Sequence, residues 1–399
     1  MLLLERVTEW NCSFWLGLVD YEKAFDTVEH EPLWNVLREN GVEETYVYLL
    51  MLLYANQSGS VLAGKESRSF SLLRGVKQGD PISGLLFIAV MESIFKKLKT
   101  RWHSLNGRRK GLPYGVVIDH DTDPLSNLRF ADDVLLFATS QQDMAKMLRD
   151  LAILSATYGL KLHADKTIVL TNACNPPKSL SCGDYLVKVA ASTDKEEYLG
   201  RILCFEGFHE AELSNRIACA WNVFFKHKLI LCNKRLVLKK RLRFFESVVT
   251  PTVLYGCAAW SLKQADYQKL RTTRRRMLRW MVGSTKRPDE DWIEHRIRAT
   301  RTCEQLADQH GLKDWIVLQR VTKWSFAGRT ARCCDGRWST RVLNWSPQFH
   351  IGGLRRVGRP CARWDDDISS IAGGEWSRVA QDVTLWDLLA DGYAERLND

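Results

Sequence analysis

Two adjacent aspartates, Asp132 and Asp133, have the surroundings in this chain that most clearly suggest chemistry. They follow the short apolar run Leu128–Phe130 and precede Val134–Ala138, so the sequence predicts a β-hairpin with the carboxylates at its turn. Adjacent ionised carboxylates repel each other unless a cation neutralises them, and hard divalent ions such as Mg²⁺ bind oxygen-rich corners of this kind. A solvated Asp-Asp turn is the alternative interpretation, and this pair alone does not decide between the two.

A third aspartate, Asp20, ends another apolar run far upstream. That run, Phe14–Val19, contains one glycine and predicts a buried strand. A carboxylate at the end of a central strand lies where open α/β sheets usually place their chemistry. Asp26 is a second acidic candidate, but no apolar run anchors it and it can instead help to start the next helix. We therefore select Asp20 as the partner of the aspartate pair.

The segment Arg74–Ser83 combines glycines, polar side chains and a helix start. Asp80 followed by Pro81 is typical of a helix N-terminus and predicts the long apolar helix that follows. Gly75 and Gly79 permit a close approach of the backbone to a ligand. A glycine-rich turn that caps a core helix is the alternative, and it explains Asp80-Pro81. It does not explain the three polar side chains in the same turn, Arg74, Lys77 and Gln78.

A fourth segment follows the predicted helix Gln141–Thr157, which ends at Gly159, a common helix stop. A short strand, a turn that contains Lys166, and a second strand at Ile168–Leu170 come next. A single lysine in a turn is usually just solvated. Lys166 is therefore a candidate only in combination with the acidic residues.

In this order, the segments resemble the palm of reverse transcriptases, specifically those of non-LTR (LINE-type) retrotransposons. The resemblance covers about Phe14–Leu203, and it is specific because five motifs occur in the family's order. The motifs are Asp20–His30, Arg74–Ser83, Phe130–Asp133, Gly159–Thr167, and the primer-grip-like turn Tyr198–Gly200. The resemblance implies an α+β fold, in which a palm with an antiparallel sheet backed by helices precedes a helical thumb-like region.

The resemblance also implies the chemistry, which is in-line attack of a primer 3′-hydroxyl on the α-phosphate of a nucleotide. Two Mg²⁺ ions, with Mn²⁺ as the alternative, would be held by Asp20 and Asp132, with Asp133 as an accessory ligand. The backbone carbonyl of Tyr21 would serve one of these ions. Lys166 matches a position that protonates the pyrophosphate leaving group.

Other matched residues would contact the incoming nucleotide. Phe25 lies where the family has an aromatic ring beneath the sugar, which would clash with a 2′-hydroxyl, and a purely structural core role is the equal alternative. Gln78 and Gly79 match positions that touch the nucleotide and template, and Arg74 would support this loop or a phosphate.

The charge of the chain is unevenly distributed. The 399 residues carry a net charge of +10, and between Lys226 and Arg301 about 20 basic residues face about six acidic ones. Such asymmetry indicates a polyanionic partner. Helical periodicity over Gln264–Val282 predicts a basic face that would contact the phosphates of a template–primer duplex, with a simply solvated face as the alternative. This face contains Arg271, Arg274, Arg275, Arg276 and Arg279.

The organisation predicted from these features has three parts: a palm over 1–205, a basic helical region over 206–301, and a tryptophan-rich tail over 302–399. The tail segment Arg355–Ile368 is similar to C-terminal tails of LINE-type proteins. Core packing is the simpler explanation for most tryptophans of the whole tail. A basic loop, Gly107–Gly111, interrupts the palm. The eleven cysteines form no Cys-x-x-Cys pair, which favours an intracellular, reducing location, nuclear or cytoplasmic. No apolar run is long enough to span a membrane.

The predicted function is that of an RNA-directed DNA polymerase core of a LINE-type element, with RNA template, DNA primer and deoxynucleoside triphosphates as partners. Only nineteen residues precede Asp20, where the family has its fingers, so we expect an N-terminally truncated chain with weak or no polymerase activity alone. The alternatives are a non-catalytic nucleic-acid-binding relic of such an element and a group II intron-type maturase, which shares this palm.

Overall fold

The computed structural model of the chain describes residues 1–66, 68–103, 113–119, 122–347 and 362–395. The basic loop Gly107–Gly111 and residues 355–361 of the segment Arg355–Ile368 lie outside these residues. Contacts divide the chain into two compact units. The palm unit comprises residues 10–194 and 345–355, and the helical unit comprises residues 1–9, 195–344 and 356–399. By contacts the chain divides at 194, and the described tail residues 302–344 and 362–395 cluster with the basic helices. The predicted three-part organisation, with its bounds at 205 and 301, stays a prediction.

The palm unit is built on one six-stranded sheet, whose strand order is β6-β7-β1-β8-β10-β9. Every neighbouring pair is antiparallel except β8 and β10, which are parallel. The strands of this sheet are β1 (Trp15–Val19), β6 (Asn127–Phe130), β7 (Asp133–Ala138), β8 (Ile168–Thr171), β9 (Ser179–Cys182) and β10 (Tyr185–Ala190). Four two-residue strands form separate pairs: β2 (Ser58–Gly59) with β5 (Phe70–Ser71), and β3 (Leu62–Ala63) with β4 (Lys65–Glu66).

Helices cover one face of this sheet and form a single apolar core with it. The palm helices are α2 (Ala24–Thr27), α3 (His30–Glu39), α4 (Glu44–Tyr54), α5 (Pro81–His103) and α6 (Gln141–Ala156). Gly17 of β1 allows α6 to approach, because a Cβ at this position would lie 3.0 Å from the Met144 sulfur. An antiparallel-rich sheet backed by helices confirms the predicted α+β fold.

The helical unit contains one small hairpin and many helices. The hairpin pairs β11 (Glu196–Tyr198) with β12 (Arg201–Leu203), and its turn lies at the predicted primer-grip-like segment Tyr198–Gly200. The helices are α1 (Leu2–Glu9), α7 (Phe208–Lys226), α8 (Lys228–Leu231), α9 (Leu238–Val253), α10 (Gln264–Val282), α11 (Trp292–Gln309), α12 (Trp315–Arg332), α13 (Trp338–Leu343), α14 (Asp366–Ala372), α15 (Trp376–Val379) and α16 (Val383–Glu395).

The tryptophans of the tail contribute mainly to a core. Trp324 and Trp386 stack with their ring centroids 4.0 Å apart, and the rings of Trp364 and Trp376 join the same buried cluster. The ten cysteines of the described residues are all free thiols. The intracellular location itself stays a prediction. Among the described residues, no helix is both long and apolar enough to cross a membrane.

Candidate active site

Asp20 and the aspartate pair meet at one end of the central strands. Strand β1 pairs with β7 so that Val19 lies opposite Val134. Continuing this antiparallel register by one residue places Asp20 opposite Asp133, at the distance of roughly 5 Å that separates facing Cα atoms. Phe130 pairs with Asp133, so Asp132 occupies the two-residue turn together with Ala131. The structure thus brings the three predicted carboxylates together.

The turn that presents Asp132 contains a strained residue. Ala131 has a φ of 53°, in the left-handed region that residues with a Cβ rarely adopt. Two-residue hairpin loops require positive φ for at least one residue, because only such turns match the twist of the flanking strands. The tight turn therefore places Asp132 at the end of the sheet at the cost of local strain.

The side chain of Asp20 lies on the sheet face away from α6. Successive side chains of a strand alternate between its two faces. The Gly17 and Val19 side of β1 faces the helices, and the buried Tyr21 hydroxyl hydrogen-bonds with Ser155 of α6 at 3.1 Å. Asp20, between Val19 and Tyr21, therefore points to the opposite face. The side chain of Tyr21 is an anchor in the core, and only its backbone remains a candidate ligand.

The carboxylates repel one another in this arrangement. Burial, together with the nearby charges of Asp132 and Asp20, raises the pKa of Asp133 above its usual value. Each carboxylate brings oxygen ligands, which is the donor chemistry that Mg²⁺ prefers. Within the described ranges, no three His, Cys, Asp or Glu side chains are gathered closely enough to enclose a metal ion by themselves. We call Asp20, Asp132 and Asp133 the acidic corner. It suits a divalent cation because its donor atoms are oxygens and because the cation would relieve the repulsion between the carboxylates.

The turn that contains Lys166 is fastened to the backbone of Asp20. The amide of Asp20 donates to the Thr167 hydroxyl at 3.3 Å, and its carbonyl accepts from the amide of His163 at 2.9 Å. This attachment brings Lys166 Nζ to 3.4 Å from Asp20 Oδ2. The lysine side chain is 65% exposed, so the ion pair is screened by water and contributes little stability. The solvated lysine and the catalytic lysine both stay open as interpretations of this residue, and the position beside Asp20 is what the catalytic one requires.

The loop of the second motif is attached to the first motif on the other side. Gly75 N–H donates to the carbonyl of Val28 at 2.7 Å, and Val76 N–H donates to the carbonyl of Phe25 at 2.6 Å. Gly75, at φ +93°, has no room for a Cβ, which would lie 2.7 Å from the carbonyl oxygen of Asp26. The predicted close approach of this glycine to a ligand is therefore an approach to the protein's own backbone. Gly79, at φ +90°, faces open space.

The remaining side chains of this loop are exposed. Gln78 is solvent-exposed, and Arg74 lies 3.9 Å from Glu29 in a weak surface pair. Asp80 caps α5 as predicted, because its side chain accepts from the amide of Ile82 at 3.1 Å. The loop presents polar groups to solvent from a firmly held backbone.

Phe25 is half-buried beside the same loop. Its ring stacks on Phe87 of α5 with centroids 4.6 Å apart and planes 16° apart. One face of the ring is thus held by the core, and part of it remains accessible. The roles as sugar contact and as core residue stay open.

The predicted basic face of α10 is smaller than expected. Arg274 is buried, donates to the carbonyls of Leu312 and Lys313, and lies 3.6 Å from Asp314. It therefore points inward and does not belong to the solvent face. Burial lowers its pKa below the usual arginine value.

The other four arginines of α10 differ in how they are held. Arg275 pairs with Glu304 at 2.6 Å, and Arg279 donates to the Thr300 hydroxyl at 2.9 Å. Arg276 is exposed and lies over the ring of Trp221, and Arg271 is half-buried. Arg276 is thus the most accessible cation of the predicted set.

Sequence reasoning missed Ser155, whose hydroxyl hydrogen-bonds with that of Tyr21. His163 and Thr167 belong to the predicted fourth motif, but no residue pattern indicated their hydrogen bonds to the backbone of Asp20. The inward position of Arg274 did carry a signal, since it lies four residues after Leu270 and four before Leu278 on the buried stripe.

Comparisons with known proteins agree with this palm. Residues 9–203 match the family model described as "Reverse transcriptase (RNA-dependent DNA polymerase)". An uncharacterized transposon-derived protein of Caenorhabditis elegans is 30% identical over 275 residues, which are 66% of this chain and 94% of that protein. The chain belongs to the reverse transcriptase family of non-LTR retrotransposons.

Longer relatives come from R2 elements, which are non-LTR retrotransposons. The Pol polyprotein of the R2 element of Popillia japonica is 28% identical over 276 residues, covering 65% of this chain and 36% of the polyprotein. That of the R2DM element of Drosophila melanogaster is 28% identical over 197 residues, covering 47% and 17%. The chain thus spans about a third or less of these two polyproteins. A telomerase structure from Candida albicans is 11% identical, with a TM-score of 0.40, and the match covers 78% of this chain and 54% of the telomerase.

Proposed function

We propose that this chain is an RNA-directed DNA polymerase core that extends a primer 3′-hydroxyl with deoxynucleoside triphosphates on an RNA template. The observation that carries the proposal is the convergence of Asp20, Asp132 and Asp133 at one end of the palm sheet, with Lys166 beside them. Family membership supports the reaction type.

The acidic residues have a defined task in this reaction. Asp20 and Asp132 would hold two Mg²⁺ or Mn²⁺ ions, with Asp133 as an accessory ligand and the backbone carbonyl of Tyr21 completing the set. Such ions stabilise the charge on the attacking and leaving oxygens of a phosphoryl transfer. The raised pKa of Asp133 supports this assignment, because a corner that disfavours three negative charges gains the most from added cations.

The other residues bind, orient and exchange protons. Lys166 would donate its Nζ proton to the pyrophosphate as this group leaves, or it would stabilise the negative charge of the pyrophosphate. Phe25 would lie beneath the sugar, while Gln78 and the backbone at Gly79 would touch the nucleotide and template. Arg74 would support a phosphate. The accessible arginines of α10, above all Arg276, would bind backbone phosphates of the template–primer duplex.

Primer extension with a labelled DNA primer on an RNA template tests the proposal. The assay compares the unaltered chain, Asp132→Asn, and Asp184→Asn as a matched control, since Asp184 is an exposed aspartate of the palm unit outside the acidic corner. We expect Asp132→Asn to abolish extension and Asp184→Asn to leave it unchanged. Equal extension by all three proteins would contradict the proposal. Nucleic-acid binding without extension would indicate the non-catalytic relic instead.

A further inference from the structure

A cleft between α10 and α11 of the helical unit has no assigned role. Its volume is about 430 Å³, within the range of small-ligand sites. The cleft is lined by three arginines and three aromatic or imidazole side chains: Arg276, Arg279, Arg296, Trp280, Trp292 and His295. No aspartate or glutamate is among the described residues that line it. The cleft is therefore cationic and aromatic at once.

Among the described residues, no acidic side chain forms an ion pair with Arg276, Arg279 or Arg296. Burial, and then the positive charges of Arg296, Arg275 and Arg276, lower the pKa of Arg279. The acidic residues at the start of α11 are engaged elsewhere: Asp291 and Glu294 form the capping box of that helix, and Glu290 pairs with Arg298 at 2.7 Å. The unbalanced charge around Arg279 favours an anion in the cleft.

The tryptophans offer unused ring surface. Trp292 is 69% exposed and contacts the edge of the His295 ring, whose Nε2 lies 3.3 Å from the carbonyl oxygen of Ser284. Trp280 is 41% exposed, and Lys228 lies over its ring at 4.8 Å. Nucleobases stack on aromatic rings of this kind while neighbouring cations bind the phosphates. If these rings served only to pack the protein core, they would be buried, as the rings of Trp324 and Trp386 are.

We propose that this cleft binds an unpaired nucleotide of a single-stranded RNA or DNA, with its base on Trp292 and its phosphates on Arg276, Arg279 and Arg296. The inference extends the nucleic-acid-binding part of the proposed function, but it does not depend on polymerisation. This mode differs from the binding of a duplex through its phosphates only. Here a base must be unstacked to reach an aromatic ring.

Fluorescence anisotropy with labelled oligonucleotides tests this proposal, in EDTA and without nucleotides so that catalysis cannot contribute. The probes are single-stranded RNA and DNA of about 12 nucleotides, an abasic DNA of the same length, and a duplex. The proteins are the unaltered chain, Trp292→Ala, Trp292→Phe, the double variant Arg276→Ala/Arg296→Ala, and Leu229→Ala. Leu229 is an exposed apolar residue of the same unit outside the cleft, so it is the matched control.

We expect Trp292→Ala to weaken single-strand binding by about 5- to 100-fold and Trp292→Phe to restore most of it. The unaltered chain should bind abasic DNA as weakly as Trp292→Ala binds the base-bearing strand. The double arginine variant should bind all probes less tightly, with a shallower salt dependence. Leu229→Ala should bind like the unaltered chain. Tryptophan-dependent binding of either RNA or DNA supports the proposal.

Wild-type affinity of Trp292→Ala for single strands would overturn the proposal, as would an equal loss for single strands and duplex. If Trp292→Ala binds single strands with wild-type affinity and still binds the duplex, the nucleotide cleft is refuted, whereas phosphate binding by α10 is not. Failure to extend primers, with Trp292-dependent binding retained, removes the polymerase proposal instead. Photocross-linking from a 5-iodouracil strand gives a second measurement on the unaltered protein. Cross-links confined to peptides without Trp280 and Trp292 would also overturn the proposal.

Discussion

Lys166 Nζ lies 3.4 Å from Asp20 Oδ2, across a turn whose backbone is hydrogen-bonded to Asp20 itself. The distance joins a cation from the fourth motif to an acid from the first, although 145 positions separate them along the chain. Before a metal ion binds, such a lysine can stabilise the negative charge of the aspartate. Afterwards it can donate a proton to the leaving group. The two roles can be separated.

The first prediction concerns Lys166. If it donates a proton, Lys166→Ala lowers kcat by about 10²- to 10⁴-fold with little change in KM, and Lys166→Arg does not restore the rate because arginine holds its proton too tightly. Single-turnover primer extension measures this. Lys161→Ala, which removes an exposed lysine paired with Glu22, should behave like the unaltered chain. Full activity of Lys166→Arg would show that only the charge matters.

The second prediction follows from the raised pKa of Asp133. A folded-state pKa above the unfolded value means that the ionised form opposes folding, so this penalty is present above the folded pKa and disappears below the unfolded one. We therefore expect Asp133→Asn to raise the unfolding midpoint of the metal-free protein at pH 7, measured by thermal denaturation in EDTA. A lower midpoint would contradict the assigned repulsion.

Added Mg²⁺ should reverse the effect of Asp133→Asn on the unfolding midpoint, so that the unaltered chain becomes the more stable of the two proteins. The unaltered chain should gain stability with Mg²⁺ and Asp132→Asn should gain less, because it lacks a carboxylate of the acidic corner. The gain should shrink as the pH falls through the raised pKa of Asp133, since protons compete with the cation. A gain independent of both pH and Asp132 would place the ion elsewhere.

Phe25 provides the third prediction. If its accessible part meets the sugar, Phe25→Val increases incorporation of ribonucleotides relative to deoxynucleotides by about 10- to 200-fold. Phe87→Leu is the matched control, because it disturbs the same stacked pair from the buried side. Competition between ribonucleotides and deoxynucleotides in primer extension measures the ratio. Lower stability in both variants with unchanged selectivity would establish the core role.

The fourth prediction compares two glycines of one loop with nearly equal φ. Gly75→Ala should lower the free energy of unfolding by about 2–4 kcal/mol, because it adds a clash with the Asp26 carbonyl to the strain of positive φ. Gly79→Ala should lower it by only about 1 kcal/mol, since open space surrounds that position. Chemical denaturation measures both. Equal losses would mean that the close approach at Gly75 contributes nothing.

The fifth prediction separates buried from accessible arginines of α10. Arg274→Ala should lower the free energy of unfolding by about 2–4 kcal/mol, since it leaves buried carbonyls without a donor. Arg276→Ala should change stability by less than about 1 kcal/mol, and it should lower the salt slope of nucleic-acid binding by about one. Denaturation and salt titration provide the measurements. A stable Arg274→Ala protein with weakened binding would reverse the two assignments.

Much of this fold could be predicted because its signals are local. Helix α10 occupies the predicted range Gln264–Val282, and the hairpin of β6 and β7 encloses Asp132 as the apolar runs indicated. Helix α9 (Leu238–Val253) contains Pro251 near its end, although a proline usually interrupts a helix. The strands β9 and β10 were missed although they form a local hairpin across Gly183-Asp184. Only the parallel pairing of β10 with β8 depends on contacts that are distant along the chain.

The candidate site was predictable in its residue types but not in its contacts. Motif order identified Asp20, Asp132 and Lys166, yet the hydrogen bonds that fix their positions come from backbone atoms, which every residue has. The cleft with Trp292 and Arg296 could not be predicted either, since it depends on which sides of α10 and α11 face each other. These features require the folded structure.

The ten residues from Asp20 to Glu29 lie between two distant segments, which bond to them from both sides. At one end of these residues, Lys161 and His163 form backbone hydrogen bonds with Glu22 and Asp20, and at the other end Tyr158 bonds to Glu29. From the second segment, the amides of Gly75 and Val76 donate to the carbonyls of Val28 and Phe25. Each segment relies on this shared strip for its own placement. We therefore expect the loss of one of these contact lines to disturb the loop Arg74–Ser83 and the acidic residues together, because both are placed by the same ten residues.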